Sequence, residues 1–477
     1  MNKITISEQI NQDYRKYALY VIQSRGIPNF YDSLTPVQRL ILQNSPSTFK
    51  KTLGVIGEVF STGLYHHGDM SMSKAIAKLA RPFGCSDQIL LGDGYFGTPV
   101  KPSPAAPRYT QIKIASKYKE LIERYKDLNV FNEEGGHDWI HLDYPIGLAT
   151  HVVGIAVGYK SNILPRKQED VLAYLGGNKT KKLKPYFKGF KGKISRVDSL
   201  RSSWLIEGET EIDHVGRIFK INSISPLQGY KQFFERINLM LDRSGINYKM
   251  DNYSTDEVQI SIKFRCLDTE FKKICEVLNK ETKQIVTENI IFVRDGSVLE
   301  YDCIEDYIED FIVHKEETLV KRYTKDLDYL ISELAFLEAK LLFLIFMSEK
   351  KRDSKEVADF IKPFSRDIGR RLESISLIRL TKEEIIKTKE EINQCKLDIK
   401  DKKEQIKIQT EVLKKSEKFN EELNKSKNKA KMTSLMEESS DKDEYYNGIR
   451  IFNPEDSVNE EMEDESEEQI ETNTENE

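Results

Sequence analysis

The sequence predicts an α+β multidomain protein with a winged-helix head, an α/β tower, a long antiparallel coiled coil carrying a small helical globule, and a disordered acidic tail. Three observations lead there. Val320, Tyr323, Leu327, Leu330, Leu334, Leu337, Leu341 and Leu344 alternate steps of three and four, and Ile385, Ile392, Ile399, Ile406 and Leu413 recur at sevens, which is the pattern of two coiled-coil arms. Short β-prone runs, such as 155–157, 204–206, 258–262 and 290–293, fill the middle of the chain, with a helical piece at 232–241. Helical spacing followed by a Gly- and Pro-rich stretch at 89–114 opens it.

Taken in order, residues 7–43 read as two helices parted by the turn Gly26-Ile27-Pro28-Asn29. Residues 71–79 read as a third helix, with Ser71 and Ser73 as caps and Ile76 and Leu79 facing inward. Helix, helix and a loop-strand wing suggest a winged-helix unit, a common DNA reader. The expected boundaries are 1–130 for the head, 131–310 for the tower, 311–416 for the arm with its globule at about 350–380, and 417–477 for the tail.

Charge points to a polyanionic partner. The net charge is −5, but twelve acidic residues and no Lys or Arg follow Arg450, so removing those twelve charges leaves the preceding residues at +7. No apolar run approaches the roughly 18 residues of a membrane span, the first residues carry no export pattern, and five scattered cysteines form no CxxC pair. A cytoplasmic protein with no membrane partner is expected. His66-His67 with Asp69, and His137 with His141, are candidate ligand pairs that lack a third ligand at familiar spacing, so no metal site is expected on this chain.

Several motifs stand in one order along the chain. They are Ser24-Arg25-Gly26-Ile27-Pro28-Asn29, Asp32-Ser33-Leu34-Thr35-Pro36-Val37-Gln38-Arg39, Tyr65-His66-His67-Gly68-Asp69, Gly92-Asp93-Gly94-Tyr95-Phe96-Gly97-Thr98, Ala105-Ala106-Pro107-Arg108-Tyr109-Thr110, Gly154-Ile155-Ala156-Val157-Gly158 and Asn162-Ile163-Leu164-Pro165. Together they resemble the breakage-reunion region of type IIA DNA topoisomerases over residues 14–415, and Pro107-Arg108-Tyr109 looks most like the eukaryotic and T-even-phage branch.

That resemblance implies a chemistry. Tyr109 would be the nucleophile that takes a DNA 5′-phosphate, and because a phenol ionises only near pH 10, it needs cations close by. Arg25, His67 and Arg108 would supply them. Ile155 would wedge between base pairs and bend the duplex. Arg39, Lys78, Lys188 and Lys191 would contact double-stranded DNA, the last two within a run from Lys181 to Lys193 that interleaves Tyr186, Phe187 and Phe190.

The resemblance also implies a homodimer joined at the cleavage head and at an exit gate that includes Leu377-Ile378-Arg379-Leu380-Thr381. Neither an ATP-binding glycine loop nor a Glu…Asp-x-Asp cluster is found, so ATP and Mg²⁺ would be bound by a separate subunit. In a viral setting the compartment would be the host cytoplasm. Thr35, Gln38 and Leu40 depart from the family's Lys, His and second Arg, which thins the cations on that helix. A non-catalytic, DNA-binding coiled-coil tether is the alternative reading.

Overall fold

In a computed structural model, residues 6–440 are described apart from 130, 133–134, 181, 198–201, 350–352 and 376–381. The first helix, α1 (Ile6–Val21), widens directly into a π turn at Ile22–Gly26. Then come α2 (Pro36–Gln43), β1 (Lys50–Lys51), α3 (Thr52–Ser61), α4 (Asp69–Ala80), β2 (Leu90–Asp93), β3 (Gln111–Ile114) and α5 (Ser116–Tyr125). The three strands form an antiparallel sheet in the order β1-β3-β2. Ile41, Val55, Val59, Met72, Ile76 and Ile112 close the core between sheet and helices.

Local chemistry explains the helix starts. Pro36 opens α2, where its missing N–H costs nothing, and Gln38 Oε1 accepts the Thr35 N–H at 3.0 Å. The departures at Thr35 and Gln38 therefore serve helix capping. Helix α4 begins at Asp69, whose carboxylate accepts the Met70 N–H at 2.9 Å. Ser71 and Ser73 thus lie inside the helix and do not cap it, whereas Ile76 and Leu79 are buried as their spacing requires.

A buried carboxylate ties the head together. Asp32 accepts the Arg39 guanidinium at 2.7 and 3.1 Å, the Leu34 N–H at 2.9 Å and the Ile140 N–H at 3.1 Å. Next to it Ser33, at φ 57°, bonds Tyr307 Oη at 2.7 Å, and Tyr307 donates to Phe30 O.

The hairpin β4 (Val152–Ala156) and β5 (Tyr159–Ile163) packs on the π turn through close glycine backbone contact, with Ala156 against Ile22 and Ile27 beside it. A Cβ on Gly154 would lie 2.0 Å from Gly26 O, and one on Gly26 would lie 2.2 Å from Ile155 O. Helix α6 (Gln168–Leu175) follows, then β6 (Lys193–Arg196), β7 (Ser203–Glu207), β8 (Thr210–Asp213), β9 (Ile218–Ile221), α7 (Tyr230–Ser244), β10 (Asn247–Asn252), β11 (Ile260–Arg265), α8 (Asp268–Glu281), β12 (Lys283–Thr287), β13 (Ile290–Arg294) and β14 (Ser297–Tyr301). Helices α7 and α8 share a core with the antiparallel sheet β10-β11-β9-β8, and β12-β7-β6 form a second sheet. Fully buried Arg166 and Glu288 pair at 2.6 Å, and Trp204 Nε1 donates to the same carboxylate at 2.8 Å.

The arm is α9 (Ile304–Glu349) against α12 (Lys382–Ser440), with α10 (Ser354–Ile361) and α11 (Arg366–Glu373) between them. Leu327, Leu330, Leu334, Leu337 and Leu341 meet Ile392, Cys395 and Ile399. Lys340 pairs with Glu384 and Lys402 with Asp326, so numbers rise on one helix as they fall on the other and the helices are antiparallel. Phe343, Ile361 and Leu372 bury the small globule. Helix α12 continues to Ser440, past 416 where the tail was expected to begin. Residues 377–381 and the tail beyond 440 lie outside the described residues, and compactness separates Met1–Asn420 from Glu421–Glu477.

Where α9 meets the head, Tyr31, Trp139, His141 and His314 stack, with Trp139 4.1 Å from both Tyr31 and His141. Burial, reinforced by Lys321 and Lys325, pushes His141 down to about 4. Burial, with His141, Lys321 and Arg294, pushes His314 down to about 3. Unfolded histidines take up protons near pH 6.5 and these do not, so the unfolded state binds more protons below that pH. Stability should therefore fall on acidification from about pH 6.5 towards 4, by up to about 1.4 kcal/mol per pH unit for each histidine. Urea unfolding between those pH values measures this slope, and His314→Gln should flatten it.

Candidate active site

Tyr109 ends a turn formed by Pro107, Arg108 and Tyr109, and the residue is 65% exposed. The turn is clamped on both sides by the start of α3. Thr52 N–H donates to Thr110 O at 3.0 Å, Leu53 N–H donates to Pro107 O at 3.3 Å, and the Thr52 and Thr110 hydroxyls bond at 2.8 Å. Gly94, at φ 99°, closes the other side, since a Cβ there would lie 3.3 Å from Tyr109 O. The backbone is fixed while the phenol projects outward. The Arg108 guanidinium lies 4.9 Å from the centre of the Tyr109 ring.

Arg25 is the exposed basic residue of the π turn. It sits near the Tyr65-His66-His67 segment, because its charge acts on both Tyr65 and His67. Burial, then Arg25 and His66, holds the His67 imidazole below its ordinary value, so it is neutral at pH 7 with one nitrogen able to donate and one to accept. Its ring lies edge-on to Tyr65, with centroids 5.5 Å apart.

Within one chain, then, Arg25 joins His67 and Arg108 joins Tyr109. No hydrogen bond, ion pair or ring contact links these two pairs among the described residues. Ile155 is 67% exposed on the outer face of β4, and its backbone touches Gly26, next to Arg25. Among the described residues no three of His, Cys, Asp or Glu gather to hold a metal ion. His137 stacks on Phe131 and His141 on Trp139.

A family model describing the A subunit of DNA gyrase/topoisomerase IV matches residues 25–426. This chain belongs to that family. The medium subunit of DNA topoisomerase from Enterobacteria phage T4 is 24% identical over 421 residues, which cover 81% of this chain and 92% of that one. The DNA topoisomerase 4 A subunit of Staphylococcus aureus is 25% identical over 439 residues, with 80% of this chain and 53% of that protein covered. The DNA gyrase A subunit of Borrelia hermsii is 33% identical over 183 residues, 35% of this chain and 22% of that protein. The chain thus spans most of the phage relative but only part of the bacterial ones. In fold it matches the DNA-binding, cleavage and re-ligation domain of Plasmodium falciparum topoisomerase II, with a TM-score of 0.71, 19% identity, and coverage of 88% of this chain and 65% of that one.

Membership of the gyrase/topoisomerase IV family does not give every motif residue a surface role. Arg39 was expected on DNA, but it is 4% exposed and spends its guanidinium on Asp32 and on Leu34 O. It is a structural cation. Lys191 is exposed and pairs with Glu257 at 2.6 Å, Lys188 is exposed, and Lys78 is half-buried. Phe187 and Phe190 pack with Leu164, Trp204 and Ile206, so these two rings belong to a core and not to a stacking platform. Lys181 lies outside the described residues. Arg81, one helical turn after Lys78, and His151 lie near it.

Arg39→Ala would strand a buried carboxylate. Unfolding free energy should drop by about 3–5 kcal/mol, measured by urea titration, while the salt dependence of DNA binding by the remaining folded protein stays as in wild type.

Proposed function

We propose that this chain is the DNA-cleaving and rejoining subunit of an ATP-dependent type IIA topoisomerase, acting on double-stranded DNA as a homodimer. The observation that carries this reading is Tyr109, an exposed phenol on a rigid turn with a guanidinium against its ring, in a chain of this family. In this reading the Tyr109 oxygen attacks a backbone phosphorus as its proton leaves, the bond to the 3′ oxygen breaks, and that oxygen gains a proton. One phosphodiester becomes another, so the reverse attack reseals the strand without further input.

Arg25 and His67 complete the site from the second protomer, which accounts for their separation from Tyr109 within one chain. Fixed cations lower the barrier by meeting charge that builds on the phosphate oxygens. The neutral His67 can accept the phenolic proton or donate to a phosphate oxygen, whereas its protonated form could only donate.

Ile155 serves as the wedge that bends the duplex, anchored by the glycine contact beneath it. In this reading Mg²⁺ and ATP are held by a separate subunit. The head at 1–130 acts as a winged-helix reader, 131–310 as the tower, and the coiled-coil globule as the exit gate. Relaxation and decatenation are the expected reactions, in the cytoplasm, or in the host cytoplasm for a viral protein. No described helix is long and apolar enough to cross a membrane.

Two outcomes follow. With the partner subunit, Mg²⁺ and supercoiled DNA, denaturation should leave this chain covalently on 5′ ends, and Tyr109→Phe should abolish the adduct; a coiled-coil tether would leave none in either case. Ile155→Ala should reduce DNA bending in a fluorescence-transfer assay while leaving the unfolding midpoint close to wild type.

A further inference from the structure

Helix α3 starts without a cap of its own. The residue before it, Lys51, has no side-chain oxygen and makes no capping bond, yet the first four N–H groups of any helix have no acceptor within it. The Tyr109 turn supplies two of the missing acceptors. Thr52 N–H donates to Thr110 O at 3.0 Å and Leu53 N–H donates to Pro107 O at 3.3 Å. The turn therefore caps the helix, and the helix holds the turn.

A hydroxyl pair lies beside these backbone bonds. Thr52 Oγ1 and Thr110 Oγ1 are 2.8 Å apart, in residues only 2% and 1% exposed. A buried hydroxyl that loses its partner costs about 1–3 kcal/mol, so the two segments do not part easily. Thr110 is fixed on its other side as well, because a Cβ on Gly94 would lie 3.4 Å from the Thr110 methyl carbon and 3.4 Å from its Cα. The next residue, Gln111, opens β3 and is paired with Lys51 on one side and Asp93 on the other. Tyr109, by contrast, is largely exposed, with the Arg108 guanidinium 4.9 Å from its ring centre. What places its backbone is the residue that follows it.

The same helix bears on His67. At about 1.5 Å per residue, α3 is roughly 15 Å long. Phe60, near its far end, meets Tyr65 edge-on with ring centres 5.4 Å apart. One strut thus carries the nucleophile's turn at its start and the Tyr65-His66-His67 segment beyond its end.

We propose that Thr52 and Thr110 are a positioning pair that locks the Tyr109 turn onto α3 and so aims the phenol at the phosphorus. Neither residue touches DNA, since both are buried. They act through Tyr109, and the assignment rests on the DNA-cleaving reading above. Threonine suits the place because it joins a hydroxyl for the partner to a methyl for Gly94; valine keeps only the methyl and serine only the hydroxyl.

The test measures single-turnover formation of the 5′ adduct at saturating duplex, with the full-length chain, its partner subunit and Mg²⁺. Misplacing a reacting group by about 1 Å can cost about 10²-fold in rate, so Thr110→Val should slow adduct formation by about ten- to a hundredfold. Duplex affinity, measured without Mg²⁺, should stay as in wild type, the pattern of a group that acts only on the chemical step. Thr110→Ser should recover most of the rate. Urea unfolding separates positioning from mere stability: Thr52→Val/Thr110→Val strands neither hydroxyl, so its stability should return towards wild type while its adduct rate stays low. A wild-type rate in folded Thr110→Val would overturn the proposal, and so would a rate that recovers along with stability in the double variant. Failure of the cleavage reading would appear separately, as absence of the adduct in the unsubstituted chain, and would take this assignment with it.

Discussion

Two glycines meeting backbone to backbone set the geometry on which the candidate site depends. Gly26 ends the π turn that carries Arg25, and Gly154 precedes Ile155 on the hairpin. Their approach, with room for neither Cβ, places a charged group and an exposed apolar group on adjacent pieces of one rigid surface. A side chain at either position would separate the segments, because backbone atoms cannot yield as the end of a long side chain can. A π turn is one of the few ways a helix can shift its register by a residue, and such turns recur at functional sites.

Beneath that surface the buried charges are saturated. Asp32 takes hydrogen bonds from Arg39 and from two backbone N–H groups, and Glu288 takes them from Arg166, Trp204 and the Leu164 N–H. Each carboxylate joins segments far apart in sequence, so each fixes the relative placement of elements that hydrophobic packing alone leaves free to slide.

Much of this was legible in the residues. The coiled coil could be read because its period persists over many turns, and Leu337, Ile392 and Ile399 are buried where that period places them. The exposure of Tyr109 and Ile155 follows from motif position. Helix α3 was not legible, because Gly54 and Gly57 argue against a helix and only tertiary burial of Val55, Ile56 and Val59 overrides them. Arg39 was misassigned because a motif gives a residue's type and place but not the direction of its side chain, which Asp32 decides. The π turn and the Gly26–Gly154 contact are tertiary facts without a periodic trace. The length of α12 escaped for a related reason, since Lys- and Glu-rich sequence beyond Leu413 supports a helix without displaying a seam.

The central claim is that Arg25 and His67 of one protomer serve Tyr109 of the other. Heterodimers built from a Tyr109→Phe chain and an Arg25→Ala chain test it directly, with each parent homodimer as control and the partner subunit, Mg²⁺ and supercoiled DNA present. If the halves meet across the dimer, one site carries both lesions and the other is intact, so mixing two inactive proteins should yield single-strand nicks with the Arg25→Ala chain on the 5′ end. If the heterodimer is as inactive as its parents, the groups act within one chain and the account is wrong.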